Sequence, residues 1–182
     1  MPVLASRAAV FLDRDGTMVH DVGYATSRHQ LRLLPGVLTA LSSLQEAGFA
    51  LMVVSNQSGV GRGLMSLADA REQMDYLCEL VAAGGVELDD IVFCPHSPDA
   101  ACTCRKPRPG LLVELCARHG IQPASSFMVG DRESDVLAGV AAGCRAVLLG
   151  QDQAVDSAAD IVLPDLAAAA EFILANPKST IK

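Results

Sequence analysis

The sequence predicts an α/β fold, a doubly wound and mainly parallel sheet with helices on both faces. Three observations carry this prediction. Short runs rich in Val, Ile and Leu alternate with stretches of helical periodicity along nearly the whole chain, the pattern of strands buried on both faces by crossover helices. The polar clusters DRDGT, SNQSG and GDRESD each follow directly on an apolar run, where sites of such folds gather. The chain has 182 residues, 51% hydrophobic and 19% charged, which suits a sizeable core and about one domain.

Ala8 to Leu12 reads as the first buried strand. Gly36 to Ala47 follows as a helix, with Val37, Leu41 and Leu44 on one face and Gly48 as its stop. Ala50 to Val54 is the second strand. Ser66 then caps a helix whose Ala70, Met74, Leu77, Cys78 and Val81 share a face, so Cys78 is expected in the core. Leu88 to Phe93 is the third strand, Pro109 to Arg118 a helix begun near a proline, and Phe127 to Val129 a short fourth strand. A helix over Arg132 to Ala142, strands at Ala146 to Leu149 and Asp160 to Leu163, and an alanine-rich helix from Leu166 to Ala175 complete the alternation. The tail from Asn176 is expected to fray.

Fourteen basic against 21 acidic residues give a net charge of −7, the wrong field for nucleic acid. It also repels small phosphorylated molecules, so a site for one needs a local cluster of positive charge. No apolar run approaches the roughly 18 residues of a membrane span, and no export signal is evident. A cytoplasmic monomer is expected, with no nucleic-acid or membrane partner.

The chemistry concentrates in a few clusters. In DRDGT, Asp13 and Asp15 leave the first strand two residues apart and can divide the labour of nucleophile or metal ligand and proton donor, with Gly16 turning the chain. The pentapeptide alone also reads as a solvated Asp-Gly turn. Strand alternation points Arg14 away from the two carboxylates, for a structural or loop-anchoring role. Ser55, Asn56, Gln57, Ser58 and Gly59 form a donor-rich loop suited to phosphate oxygens, or a helix cap. Asp131 of GDRESD can complete a hard oxygen site for magnesium, while Asp135 can equally serve as N-terminal helix charge. Arg105, Lys106 and Arg108 form the densest basic run, which alternatively is a solvated loop.

Cys94, His96, Cys102 and Cys104 supply three thiolates and an imidazole within eleven residues interleaved with Pro95, Pro98 and Asp99, poor core material and a set matching a closed tetrahedral zinc site. Cys102 and Cys104 are too close in sequence to bridge each other without strain. His20, His29 and His119 have no such company.

The order DRDGT, Ser55, Lys106, GDRESD resembles the four motifs of the haloacid dehalogenase-like hydrolases over Val10 to Gly150. The set CPH…CTCRKP with NQSGVGRG narrows the resemblance to the branch of histidinol-phosphate and heptose-bisphosphate phosphatases, and HDVGY with NQSGVGRG looks more like the heptose enzymes that remove the 7-phosphate. The five residues between His96 and Cys102 resemble the compact loop of the histidinol enzymes and some heptose enzymes. The resemblance implies a single phosphatase domain over residues 1–182, Rossmann-like, with a zinc loop at 94–104. The stretches between Thr17 and Gly36 and between Ser55 and Lys106 are too short for a cap domain.

By this resemblance Asp13 is the nucleophile that takes up the phosphoryl group, and Asp15 the acid and base. Ser55 and Lys106 hold the phosphoryl group. Magnesium is implied on the carboxylate of Asp13, the backbone carbonyl of Asp15 and the carboxylate of Asp131, with Asp135 behind them. Asp21, Val22, Gly23, Tyr24, Asn56, Gln57, Ser58, Arg105 and Arg132 are implied to contact the substrate. Zinc is expected to fix the loop that aims Arg105 and Lys106. Histidinol phosphate is the other substrate expected for the same chemistry, and a zinc-stabilised binding module without turnover is the alternative of another class.

Overall fold

The computed structural model describes residues 7–150 and 156–176, so the expected fraying of the C-terminal tail lies outside the described residues beyond Asn176. Six strands, β1 (Ala9–Leu12), β2 (Ala50–Asn56), β3 (Asp90–Cys94), β4 (Phe127–Gly130), β5 (Arg145–Leu149) and β6 (Ile161–Leu163), form one sheet in the order β3-β2-β1-β4-β5-β6. Every pair is parallel, with Leu12 aligned to Val53 on one side and to Val129 on the other. The helices are α1 (Val37–Glu46), α2 (Ser58–Gly61), α3 (Leu67–Ala82), α4 (Gly110–His119), α5 (Glu133–Ala141) and α6 (Leu166–Ala175). Short 3₁₀ turns cover Arg28–Gln30 and Pro123–Ser125.

The period-2 pattern of the strands divides the core in two. Val10 and Leu12 of β1 face a cluster with Leu41 and Leu44 of α1, Leu77 and Val81 of α3, and Ile173 of α6. Ala9 and Phe11 face the other way, onto Met52, Val54, Met128 and the Leu111, Leu112 and Leu115 face of α4. Both faces of the sheet are thus covered, which is why its strands read as continuous apolar runs.

The differences from the sequence reading have local causes. β2 runs on through Ser55 and Asn56 because they pair with Phe93 and Cys94 of β3, so Ser55 stands on the strand rather than beyond it. Ser58–Gly61 forms a one-turn helix in what reads as a loop. In α3, capped by Ser66 through a reciprocal bond with Asp69, the inward positions are Ala70, Gln73, Met74, Leu77 and Val81. Cys78 is only partly buried, which corrects its assignment to the core: the buried stripe is centred one step round the helix and takes in Gln73 instead. Among the described residues no helix is long and apolar enough to cross a membrane.

Candidate active site

The strand order reverses around β1, which has β2 on one side and β4 on the other. This topological switch opens a crevice at the carboxyl ends of these three strands. A cavity of about 490 Å³ lies there, lined by Asp13, Asp15, Asp21, Gly23, Tyr24, Ser55, Asn56, Gln57, Ser58, Arg105, Lys106, Pro107, Arg132, Ser134 and Asp135. Of the expected substrate contacts only Val22 is outside this lining; it is half exposed. Pro107 and Ser134 join the lining unforeseen, each as a neighbour of a basic or acidic residue already singled out.

Lys106 sits at the centre of the charge distribution. It is 3% exposed, and its Nζ lies 2.6 Å from Asp13 Oδ1, 2.6 Å from Asp135 Oδ1 and 2.7 Å from the carbonyl oxygen of Val54. Burial alone favours a neutral amine, yet the two carboxylates outweigh it and push the Lys106 pKa above its ordinary value. Asn56 fixes the backbone beneath this side chain: its Nδ2 donates to Lys106 O at 3.0 Å and its Oδ1 accepts from Lys106 N at 3.1 Å. The side chain of Asn56 therefore aims the lysine as well as lining the cavity.

Asp13 enters the cavity directly from β1, tied by its N–H to Val129 O at 2.9 Å. Burial raises its pKa; Lys106 opposes that rise and Asp135 adds to it. Asp131, at the end of β4, shares a cluster with Asp13 and Asp135 in which one oxygen from each lies within 4.8 Å of the others. Both oxygens of Asp135 are engaged, Oδ1 by Lys106 and Oδ2 by the Arg132 N–H at 3.1 Å. Asp131 Oδ1, in contrast, is buried with no hydrogen-bond partner among the described residues. A buried carboxylate oxygen with no donor, beside two more carboxylates, fits a hard divalent cation held by Asp13 and Asp131, with Asp135 behind them. Among the described residues the cluster takes no side-chain oxygen from Asp15, whose carboxylate is held by Arg14 and Gln57 instead. Gly16 permits the close approach: its φ is +78° and a Cβ there would meet Asp131 Oδ2 at 2.2 Å.

Burial, then the charges of Asp13 and Asp135, push Asp131 up to about 7. The sign follows from linkage. A carboxyl that ionises near 3.9 in the unfolded chain but near 7 in the metal-free folded chain lowers stability as pH rises between those values. A divalent cation competes with that proton. The rise in Tm given by magnesium over EDTA is therefore expected to grow from pH 5 to pH 8 and to lose most of this growth in Asp131→Asn. Paired thermal melts across that range check it; a magnesium shift independent of pH in the wild type contradicts it.

Arg14 departs most from expectation. The chain leaves the strand at Leu12, alternation ends there, and the guanidinium folds back onto Asp15, buried at 1% exposure. Nε and Nη2 donate to Asp15 Oδ2 and Oδ1, each at 2.9 Å. Gln57 Nε2 donates to Asp15 Oδ2 at 3.0 Å and to Ser55 Oγ at 2.8 Å. Arg132 pairs with Asp21 at 2.8 Å across the mouth of the cavity and is largely exposed, and Arg105 Nη1 donates to His96 O at 3.4 Å.

The four soft donors singled out by their type and number come together. Cys94 is buried at the end of β3, and its Sγ lies 3.5 Å from His96 Nδ1, 3.8 Å from Cys102 Sγ and 3.3 Å from Cys104 Sγ, with His96 Nδ1 3.2 Å from Cys104 Sγ. Zinc bonds of about 2.3 Å to sulfur and 2.0–2.1 Å to nitrogen give tetrahedral edges of about 3.6–3.8 Å. These four separations lie within about half an ångström of those edges, and all four donor atoms lie within 4.8 Å of one another. Gly61 of α2 braces the loop, its N–H donating to Pro95 O at 2.8 Å, where a Cβ would strike Ser97 N at 2.3 Å.

Comparison with known proteins places this geometry in a family. Residues 103–169 match the HAD-hydrolase-like family model. The D-glycero-beta-D-manno-heptose-1,7-bisphosphate 7-phosphatase of Yersinia pestis is 39% identical over 182 aligned positions, 93% of this chain and 97% of that protein. The enzyme of the same name from Escherichia coli strain K12 is 38% identical, over 87% of this chain and 90% of its own. Among solved structures, the D,D-heptose 1,7-bisphosphate phosphatase of B. bronchiseptica, in complex with magnesium and phosphate, superposes with a TM-score of 0.84 at 32% identity, covering 93% of this chain and 99% of that one. The crevice at the switch point, the paired aspartates and relatives of this similarity over nearly the whole chain give one answer: the protein belongs to the heptose 1,7-bisphosphate phosphatase family of HAD-like hydrolases.

Proposed function

We propose that this chain is a magnesium-dependent phosphatase that removes the 7-phosphate of D-glycero-D-manno-heptose 1,7-bisphosphate through an aspartyl-phosphate on Asp13. The observation that carries the reading is the convergence of Asp13, Asp15, Ser55 and Lys106 on one cavity beside the Asp13, Asp131 and Asp135 cluster. Magnesium, when bound, supplies charge neutralisation for the phosphoryl oxygens and for the carboxylates that surround them.

The residues do the rest. Asp13, at the end of a buried strand, has little freedom and presents its oxygen to phosphorus; Lys106 offsets the negative charge of nucleophile and phosphoryl group together. Ser55 Oγ accepts from Gln57, so its own hydrogen is left to donate to a phosphoryl oxygen. Asp15 delivers a proton to the leaving alkoxide and then takes one from the water that attacks the phosphoryl group, which frees the Asp13 carboxylate. Asp21, Gly23, Tyr24, Ser58, Arg105 and Arg132 form the outer wall that meets the sugar and its remaining phosphate, and the two guanidiniums give this acidic protein the local positive charge that such a substrate requires.

Phosphate release from each anomer of the heptose bisphosphate and from histidinol phosphate, with magnesium and with EDTA, tests the reading. The expected result is strong preference for the heptose, with the β anomer for which the relatives are named ahead, and loss with EDTA. Preference for histidinol phosphate overturns the substrate but keeps the chemistry, whereas no release from any phosphate ester favours the binding module.

In the same proposal Cys94, His96, Cys102 and Cys104 hold a structural zinc that stiffens the loop leading into Arg105 and Lys106. Replacing Cys102 with Ser is expected to drop bound zinc well below one per chain and to lower kcat about tenfold or more, since Lys106 loses its rigid support. Metal analysis beside kinetics checks it. A zinc-free variant with normal kcat rejects the role.

A further inference from the structure

We propose that Arg14 is a positioning residue that, with Gln73 and Gln57, fixes which oxygen of Asp15 carries the transferred proton. The inference rests on the role given to Asp15 above.

Hydrogen-bond polarity fixes the orientation of both glutamines. A guanidinium only donates. Facing Arg14, both glutamines must therefore present Oε1: Gln73 accepts from Nη1 at 3.0 Å and Gln57 from Nη2 at 3.1 Å. This turns the Gln73 Nε2 toward the carbonyl of Ala25, at 2.8 Å, which anchors the network to the chain ahead of α1. It turns the Gln57 Nε2 toward Asp15 and Ser55. Arg14 and Gln73 are each 1% exposed and Gln57 4%, so water has little part in setting these directions.

Asp15 then has an asymmetric environment. Its Oδ2 accepts from Arg14 Nε and Gln57 Nε2, which fills both acceptor positions of that oxygen. Among the described residues its Oδ1 accepts only from Arg14 Nη2. Every group gripping the carboxylate in this network is a donor, so a proton on Asp15 has no acceptor there. The proton resides on Oδ1 and projects toward the cavity, where it passes to the leaving oxygen as the bond from that oxygen to phosphorus breaks. In the second half-reaction the same position takes the proton of the attacking water. Gln57 is thus bound to the acid and base from behind, besides lining the cavity.

The test compares a sugar phosphate, whose alkoxide needs a proton, with p-nitrophenyl phosphate, whose leaving group does not. In Arg14→Met, kcat/KM for the sugar phosphate is expected to fall about 100-fold, and at least about tenfold further than for the aryl phosphate, with the magnesium concentration for half-activation little changed. Any shared loss reports the weakened hold on Ser55. Arg14→Lys, which keeps a donor without the fork, should fall between Arg14→Met and wild type. Gln73→Met, away from the cavity, should show the same leaving-group dependence in smaller measure, and it decides the question if Arg14→Met folds poorly. Equal losses on both substrates, or no loss, overturn the proposal. An Asp15→Asn variant as active as wild type overturns instead the role of Asp15 itself, an outcome separate from either.

Discussion

Asp13→Asn is expected to lower kcat by roughly four to six orders of magnitude while leaving the fold intact, because a carboxamide cannot take up the phosphoryl group. The structure says why the two effects separate. Asp13 is buried among like charges, and burial is the main cause of its raised pKa. A neutral isostere removes part of that repulsion as it removes one partner of Lys106, which keeps Asp135 at 2.6 Å. Tm in EDTA should therefore change little, and magnesium should bind more weakly with one carboxylate gone. Melting curves measured beside turnover check both halves; residual turnover within about tenfold of wild type contradicts the assignment of the nucleophile.

Lys106→Met is expected to damage stability and activity together. The substitution nearly preserves volume, but it leaves two buried carboxylates, Asp13 at 7% and Asp135 at 1% exposure, without the cation between them. Stranding buried charge in this way costs about 3–5 kcal/mol. The loss depends on pH with a definite sign. Without Lys106, which lowers the Asp13 pKa, that carboxyl rises further, so the variant should be most nearly normal in mild acid and weaken as pH increases. Magnesium should recover part of the stability and little of the rate, for which a loss of about 10²–10³-fold is expected. Denaturant titrations at pH 5 and pH 8 with kinetics check this. A variant as stable as wild type at pH 8 shows that the lysine is not the counter-charge.

Much of the architecture was legible because it depends on local pattern. The continuous apolar runs of β1, β2 and β4 announce a sheet covered on both faces, and the polar clusters that end them mark the site before any contact is known. The soft-donor set was legible because its four ligands lie within one loop. What escaped depends on partners distant in sequence. Gln73 on a helix face gives no sign of its partner Arg14, 59 residues earlier, and without that partner a buried glutamine is an implausible reading. The extension of β2 through Ser55 and Asn56 comes from pairing with β3 rather than from strand propensity, which these two residues lack. For Cys78 and Arg14 the periodicity does not reach as far as the pattern suggests: the buried stripe of α3 turns away from Cys78, and strand alternation ends at Leu12 before Arg14.

Turnover by the proposed route requires that Asp13 become covalently phosphorylated. Acid-quenching the magnesium-loaded enzyme while it hydrolyses the heptose bisphosphate, followed by peptide mapping by mass spectrometry, tests it most directly. A phosphoryl adduct confined to the peptide that carries Asp13, and absent from Asp13→Asn, is the predicted result. Turnover that proceeds with an adduct on another residue, or an adduct that persists in Asp13→Asn, shows that Asp13 is not the nucleophile.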